Sequence, residues 1–234
     1  MYIRWFETLS NDDVNIVGGK NASLGEMIKT LKKEGIRSPE GFATTVDFYW
    51  DFLEKNQIKQ KIKEEIDQFH QGNKKLETVG KNIRDLFYNA PFPDELSEAL
   101  LSAYRELSQK YDTQATDVAV RSSATAEDLP EASFAGQQES FLNITGEKDV
   151  QEACRKCYAS LFTDRAISYR EEKGFDHLKI ALSVGIHKMV ATTQASAGVM
   201  FTLDTETGFP DVVVINASWG IGETVVKGTV TPDE

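Results

Sequence analysis

Val118-Ala119-Val120-Arg121-Ser122-Ser123-Ala124-Thr125-Ala126-Glu127-Asp128 is where the chain changes its hydrophobic period. Before it, apolar residues recur at helical spacing. From Asp117 to Val120 they form a short strand candidate, which delivers an arginine and then a run of hydroxyls. Arginine makes bidentate contacts to phosphate oxygens, so the stretch reads as a strand presenting a phosphate ligand. It reads equally as a strand-end arginine paired with an acid and followed by a turn.

Working back toward the N-terminus, the spacing predicts five helices. Ser23 with Glu26 fits a capping box, with Leu24, Met27, Ile28 and Leu31 on one apolar face and Gly35 as the stop. A second helix follows Thr45 (Val46, Tyr49, Phe52, Leu53), a third carries Ile58, Ile62, Ile66 and Phe69, and a fourth carries Leu76, Val79, Ile83, Leu86 and Phe87. Pro91 and Pro93 close the fourth, and Asp94 is placed as the cap of a fifth with Leu96, Leu100, Leu101, Tyr104 and Leu107. Working forward, Phe141, Leu142 and Ile144 mark a strand, and Ile180, Leu182, Val184 and Ile186 alternate as a half-buried strand does. Val199 to Leu203 and Val212 to Ile215 are further strands, so the class is mixed, α+β.

Three more stretches combine glycine, hydroxyls and charge. Gly18-Gly19-Lys20-Asn21-Ala22-Ser23 sets a lysine at the mouth of a helix, where unpaired amides favour anions. It is not a Walker A loop, which needs glycine where Val14 stands and Ser or Thr where Asn21 stands. Alone it is no more than a helix-opening turn. Ser133-Phe134-Ala135-Gly136-Gln137-Gln138-Glu139 reads as a loop with one aromatic anchor, of a kind that folds over a nucleotide or simply covers its own phenylalanine. Ser218-Trp219-Gly220-Ile221-Gly222-Glu223 follows a strand with a Gly-x-Gly, a weak phosphate signal that a turn beside a tryptophan also explains.

Composition bounds the rest. The 234 residues are 40% hydrophobic and 27% charged, enough for a core without staples, and the net charge of −11 argues against nonspecific binding to nucleic acid or anionic membranes. No long apolar run forms a leader or a membrane span, and the bland expectation is a cytoplasmic protein. Cys154 and Cys157 form a C-x-x-C, yet zinc needs about four ligands and no second pair exists. Val150, Cys154, Cys157, Tyr158 and Leu161 instead trace the apolar face of a helix, which makes both cysteines core residues.

Taken together and in this order, these stretches resemble the opening of the phosphoenolpyruvate synthase family. The resemblance rests on Gly18 to Met27, Pro39-Glu40-Gly41-Phe42-Ala43-Thr44-Thr45, Ala119 to Gln138, Ser160-Leu161-Phe162-Thr163-Asp164-Arg165-Ala166, and Gly198 to Gly208, and it covers Trp5 to Glu234. It implies an ATP-grasp-like domain of the pyruvate phosphate dikinase N-terminal type, incomplete at its C-terminus. Such a domain transfers a pyrophosphoryl group from ATP to a histidine on a separate swinging domain, and a barrel domain then phosphorylates pyruvate. By motif match, Lys20 beside Gly18 and Gly19 would bind ATP phosphates and Arg121 would stabilise the transferring group. Ser122, Ser123 and Thr125, with Ser133, Gly136 and Gln137, would form loops over the triphosphate. The segment His187-Lys188-Met189-Val190 would line the adenine pocket through its backbone, and Glu223 would lie near the nucleotide. ATP and Mg²⁺ are the implied cofactors, with the metal ligands expected in an acid-rich strand and a Gln-Ala-Arg-Pro motif beyond Thr231-Pro232-Asp233-Glu234. The chain is thus expected to be a fragment that does not make phosphoenolpyruvate alone. Its expected partners are the phosphohistidine domain and, in the full-length protein, pyruvate; a homodimer is compatible with this. Pyruvate phosphate dikinase, rifampicin phosphotransferase and starch-dikinase relatives share the Gly-Gly-Lys and Val-Arg-Ser themes. A non-catalytic nucleotide-sensing module is the rival from another class.

Overall fold

The computed structural model describes all residues except 126–127, 130–131, 134–138, 193 and 234, and gives the backbone alone at 128–129 and 132–133. The chain divides into two compact units, Met1–Met189 and Val190–Glu234. In order, the first unit runs β1 (Ile3–Trp5), α1 (Val14–Lys33), β2 (Gly41–Thr44), α2 (Val46–Lys55), α3 (Ile58–His70), α4 (Leu76–Asn89), α5 (Asp94–Lys110) and β3 (Val118–Ala124). It continues with β4 (Asp128–Leu129), β5 (Ala132–Ser133), β6 (Ser140–Ile144), α6 (Glu147–Ser160), α7 (Asp164–Lys173) and β7 (Leu182–Lys188).

Five of these strands form one antiparallel sheet in the order β1-β2-β7-β3-β6, so β7, late in the chain, lies between two much earlier strands. Side chains alternate across it. Val118, Val120, Ala124, Leu182, Val184 and Ile186 enter the large core shared with α2 to α7. Phe52 is the centre of an aromatic cluster in that core, 5.4 Å from Tyr158, 5.1 Å from Phe92 and stacked on Phe87 at 6.4 Å. Truncating such a buried ring costs on the order of 3–5 kcal/mol. The opposite sheet face carries α1 over a smaller cluster of Phe6, Leu9, Val17, Ala22 and Ala43. Cys154 and Cys157 are free and fully buried on the core side of α6. Burial pushes the Cys154 thiol up to about 12 and the Cys157 thiol well above the ordinary range, so both are inert hydrophobes.

The end of α7 holds the largest fully buried side chain, Arg170, at 2% exposure. Its Nε donates to His177 Nδ1 at 2.8 Å, and the guanidinium lies 5.2 Å from the Phe162 ring. His177 Nε2 then meets Glu171 Oε1 at 2.5 Å, and His70 from α3 meets the same carboxylate at 3.0 Å. A neutral imidazole therefore bridges a buried cation to its counter-ion, and burial lowers the arginine to about 10.

The second unit is a hairpin of β8 (Ser196–Phe201) and β9 (Val214–Trp219), followed by α8 (Glu223–Val226). Cross-strand partners share a face, and one face carries Met200 opposite Ile215, with Trp219 further along. These three are exposed at 64%, 53% and 78%.

Several expectations are corrected. The first helix is not opened by Ser23 and Glu26. It starts at Val14 and breaks at Gly18 (φ 74°, ψ 163°), leaving Ser23 as an exposed helical residue. Of the Leu24, Met27, Ile28, Leu31 stripe, Leu24 and Ile28 pack against the smaller cluster, but the fully buried residues are Val17, Gly18, Gly19, Asn21, Ala22 and Gly25. Small residues win there because the helix lies close to its neighbours: a Cβ on Gly25 would stand 2.4 Å from Leu9 Cβ. Met27 is 51% exposed. Pro93, not Asp94, caps α5, and Asp94 is its first residue. The hydroxyls after Arg121 belong to β3 rather than to a loop, since Ser122 to Ala124 continue the pairing with β7. Boundaries shift in β7, which starts at Leu182, and in β8 and β9; β1 and β2 are too short to show a period.

Candidate functional site

The break in α1 builds the site. With φ at 74° and ψ at 163°, Gly18 occupies a region that only glycine adopts readily. Its missing side chain also makes room, because a Cβ would lie 2.4 Å from both the carbonyl oxygen and Oγ of Ser123. The helix therefore restarts beside β3, with Gly19, Lys20 and Asn21 in its new first turn. Glycine cannot cap that turn by a side chain, and Ser123 does so from the strand, accepting from the Asn21 amide at 3.2 Å.

β3 places Arg121 opposite Gly185 of β7 and Ser140 of β6. Arg121 is exposed, and its Nε donates to Ser140 Oγ at 3.3 Å. Ala119, Arg121 and Ser123 alternate onto the α1 face of the sheet, and His187 of β7, the partner of Ala119, joins them there. Both His187 ring nitrogens are buried and, among the described residues, lack a hydrogen-bond partner. Burial, then the charge of Arg121, holds this imidazole down to about 4, so it is neutral at physiological pH.

These groups line an open cleft of about 320 Å³. Gly19, Lys20, Asn21 and Ser23 form its polar helical side, Leu24 and Met27 add apolar contact, and Arg121, Ser122 and His187 form the sheet side. Two cations from distant parts of the chain thus face one cavity in a protein of net charge −11. A helix first turn with a lysine and an arginine is suited to a polyanion.

The remaining expected residues fall elsewhere. Ser123 is fully buried, with its hydroxyl engaged as the cap. The Thr125 amide donates to Ala181 O at 3.2 Å, and its hydroxyl points to the same carbonyl. Ser133 pairs with Asp128 in the β4–β5 hairpin, and Gly136 and Gln137 lie outside the described residues. The Lys188 side chain stands on the opposite sheet face, in an ion pair with Asp117 and 5.7 Å from the Tyr111 ring. The Lys188 amide donates to Glu40 O and the Met189 amide to Asp117 O. Val190 and Glu223 belong to the second unit, where Glu223 opens α8 and pairs with Lys227 at 2.5 Å.

Five lining residues were not expected as site residues: Asn21, Ser23, Leu24, Met27 and His187. Met27 was assigned to the core by its period, and Asn21 was noticed only as a departure from Walker A. His187 was read only as part of the segment lining an adenine pocket through its backbone, and the structure brings its ring to the cleft beside Arg121.

The pyruvate phosphate dikinase AMP/ATP-binding domain family matches residues 14–234. The chain is 54% identical over 234 residues to a phosphoenolpyruvate synthase of Helicobacter pylori, covering 100% of this chain and 29% of that protein. It is 52% identical over 233 residues to one of Aquifex aeolicus, with 99% and 27% covered. The corresponding enzyme of Escherichia coli is 49% identical over 233 residues, with 99% and 29% covered. The chain therefore spans less than a third of the length of these curated relatives.

Proposed function

Because the chain belongs to the pyruvate phosphate dikinase AMP/ATP-binding domain family, we propose that the cleft between α1 and β3 takes the phosphates of ATP on behalf of a phosphoenolpyruvate synthase. The observation that carries this reading is the meeting of Lys20 and Arg121 at one cavity beside a helix first turn. The overall reaction would turn ATP, pyruvate and water into AMP, phosphate and phosphoenolpyruvate through a phosphohistidine, and the names of the relatives support it.

The chemistry asked of this chain is positioning and charge neutralisation, because the transition state of phosphoryl transfer spreads negative charge over several oxygens. Lys20 neutralises charge from the helix side and Arg121 from the sheet side. The neutral His187 ring adds no further charge to the sheet side, and Leu24 and Met27 exclude water from part of the cleft. Thr125, Ser133, Gly136 and Gln137 remain candidates for the loops over the phosphates, and Ser122, on β3, is a candidate from the cleft wall. For Lys188 and Met189 the reading is confined to backbone contacts with the base. Mg²⁺ would arrive on the nucleotide, since the described residues gather no group of three or more His, Cys, Asp or Glu side chains to hold it. The phosphohistidine and pyruvate-binding domains are the partners this reading requires, and the cytoplasm is the compartment it assigns. No described helix is long and apolar enough to cross a membrane.

The test uses the full-length protein with MgATP and pyruvate, followed by phosphorus NMR. AMP, phosphate and phosphoenolpyruvate appearing together support the synthase. Turnover that requires added inorganic phosphate and forms pyrophosphate assigns the dikinase instead. Arg121→Ala is expected to lower turnover on the order of 10³-fold while ATP binding changes little. Unchanged turnover in that variant would remove Arg121 from the chemistry.

A further inference from the structure

We propose that Asn21 is a positioning residue that holds Lys20 in register with Arg121, an inference that rests on the nucleotide reading above. Two like charges facing one cleft repel, so their own contact cannot set their spacing. Something else must, and Asn21 is the residue at which the elements carrying the two cations are joined. It follows Lys20 directly in the first turn after the Gly18 break. Its amide donates to Ser123, two residues beyond Arg121 on β3, at 3.2 Å.

The side chain is 4% exposed, and a buried amide must find partners. Nδ2 donates to Val17 O at 3.1 Å, across the break, and to Ser183 Oγ of β7 at 2.9 Å. Ser183 in turn donates to Thr44 O of β2 at 2.5 Å, so the chain of bonds reaches a third strand. Thr44 closes it by accepting from the Val184 amide at 2.9 Å. Oδ1 occupies the space a side chain at residue 185 would need: a Cβ on Gly185 would stand 2.3 Å from it. Asn21 thus ties the restarted helix to β3 through its main-chain amide, and to β7 and, by way of Ser183, to β2 through its side chain. A shorter side chain would leave the Ser183 hydroxyl oxygen and Val17 carbonyl short of a donor and let the first turn of the helix drift from β3.

Isothermal titration of the full-length protein, with Mg²⁺ omitted so that ATP is not turned over, against ATP and, separately, against AMP tests the idea. The comparison includes unmodified protein, Asn21→Ala, Lys20→Ala and the double variant. Misplacing one charge-assisted phosphate contact weakens binding roughly tenfold or more. Asn21→Ala is therefore expected to lose about tenfold for ATP and less than about twofold for AMP, and to lose nothing further for ATP in the Lys20→Ala background. A merely structural role would weaken both nucleotides alike and add to Lys20→Ala; either result overturns the inference. If Asn21→Ala does not fold, Ser183→Ala removes one Nδ2 partner while keeping the amide bond to Ser123. It should show the same ATP-selective loss at smaller size, and equal loss for both nucleotides overturns the inference again. An unmodified protein that binds no ATP sinks the nucleotide reading itself. ATP binding that is indifferent to Asn21 sinks this inference alone.

Discussion

Gly18→Ala separates two contributions that the structure superimposes at one residue. The first is conformational: φ of 74° with ψ of 163° lies where a residue with a Cβ is strained by about 1–3 kcal/mol. The second is steric, because the new Cβ would sit 2.4 Å from Ser123 O and Oγ and 2.6 Å from its carbonyl carbon. Those atoms belong to a central strand that cannot retreat without disturbing β7 and β6, and overpacking of this kind costs about 1–3 kcal/mol. The sum, about 4 kcal/mol, is a large share of the ~5–15 kcal/mol that holds a typical domain together. At roughly 2–4 °C per kcal/mol for a chain of this size, the midpoint should fall by about 10 °C. Thermal unfolding followed by circular dichroism measures it, with Gly35→Ala as the control. Gly35 also has positive φ, 73°, but open space around its Cβ position, so it reports backbone cost alone, about 1 kcal/mol. Equal shifts in the two variants would refute the argument that the break is there to let α1 approach β3.

Two further outcomes are expected. The His187 imidazole is held at about 4, against ~6.5 in an unfolded chain, so the unfolded state binds the extra proton first. Its contribution is therefore complete above pH ~6.5 and is lost as pH falls toward 4, on the order of 3 kcal/mol, with His177 shifted in the same direction. Midpoints measured between pH 7.5 and 4.5 should fall less steeply in His187→Gln than in the unmodified chain, and parallel curves would contradict the assignment. Cys154 and Cys157, buried and with raised thiols, should resist a thiol-specific chromogenic reagent in the native state and react fully in denaturant.

The helices packed on the large core were legible because each buries one continuous apolar stripe, as with Val46, Tyr49, Phe52 and Leu53 or Ile58, Ile62 and Ile66. The cysteine pair was legible for the same reason. α1 was only partly legible because its fully buried side, apart from Val17, is glycine, alanine and asparagine, which carry little hydrophobic signal, while its apolar Met27 faces the cleft. Gly18 marks the break at which α1 restarts. The cap of the restarted helix could not be read locally, since Ser123 lies a hundred residues away in the chain. Lys188 shows the converse: a basic residue adjacent to the site in sequence alternates to the other face of the sheet and pairs with Asp117.

The strand order has a consequence for how the protein comes into being. β7 lies between β2 and β3, and Ser183, Gly185 and His187 supply part of the cleft wall and its supporting bonds. A ribosome adding ~5–20 residues per second has therefore made α1, with Lys20, and then β3, with Arg121, some time before the strand that unites β2 with β3 exists. Until residues 182–188 leave the exit tunnel, β2 and β3 have no common neighbour, and their inward edges and the apolar helices wait unpaired. Pairing across so many intervening residues is slow in the way that non-local sheets are. The cleft between α1 and β3 is thus among the last parts of its unit to form, and a nascent chain stalled before Leu182 would carry both cations with no pocket to hold them in.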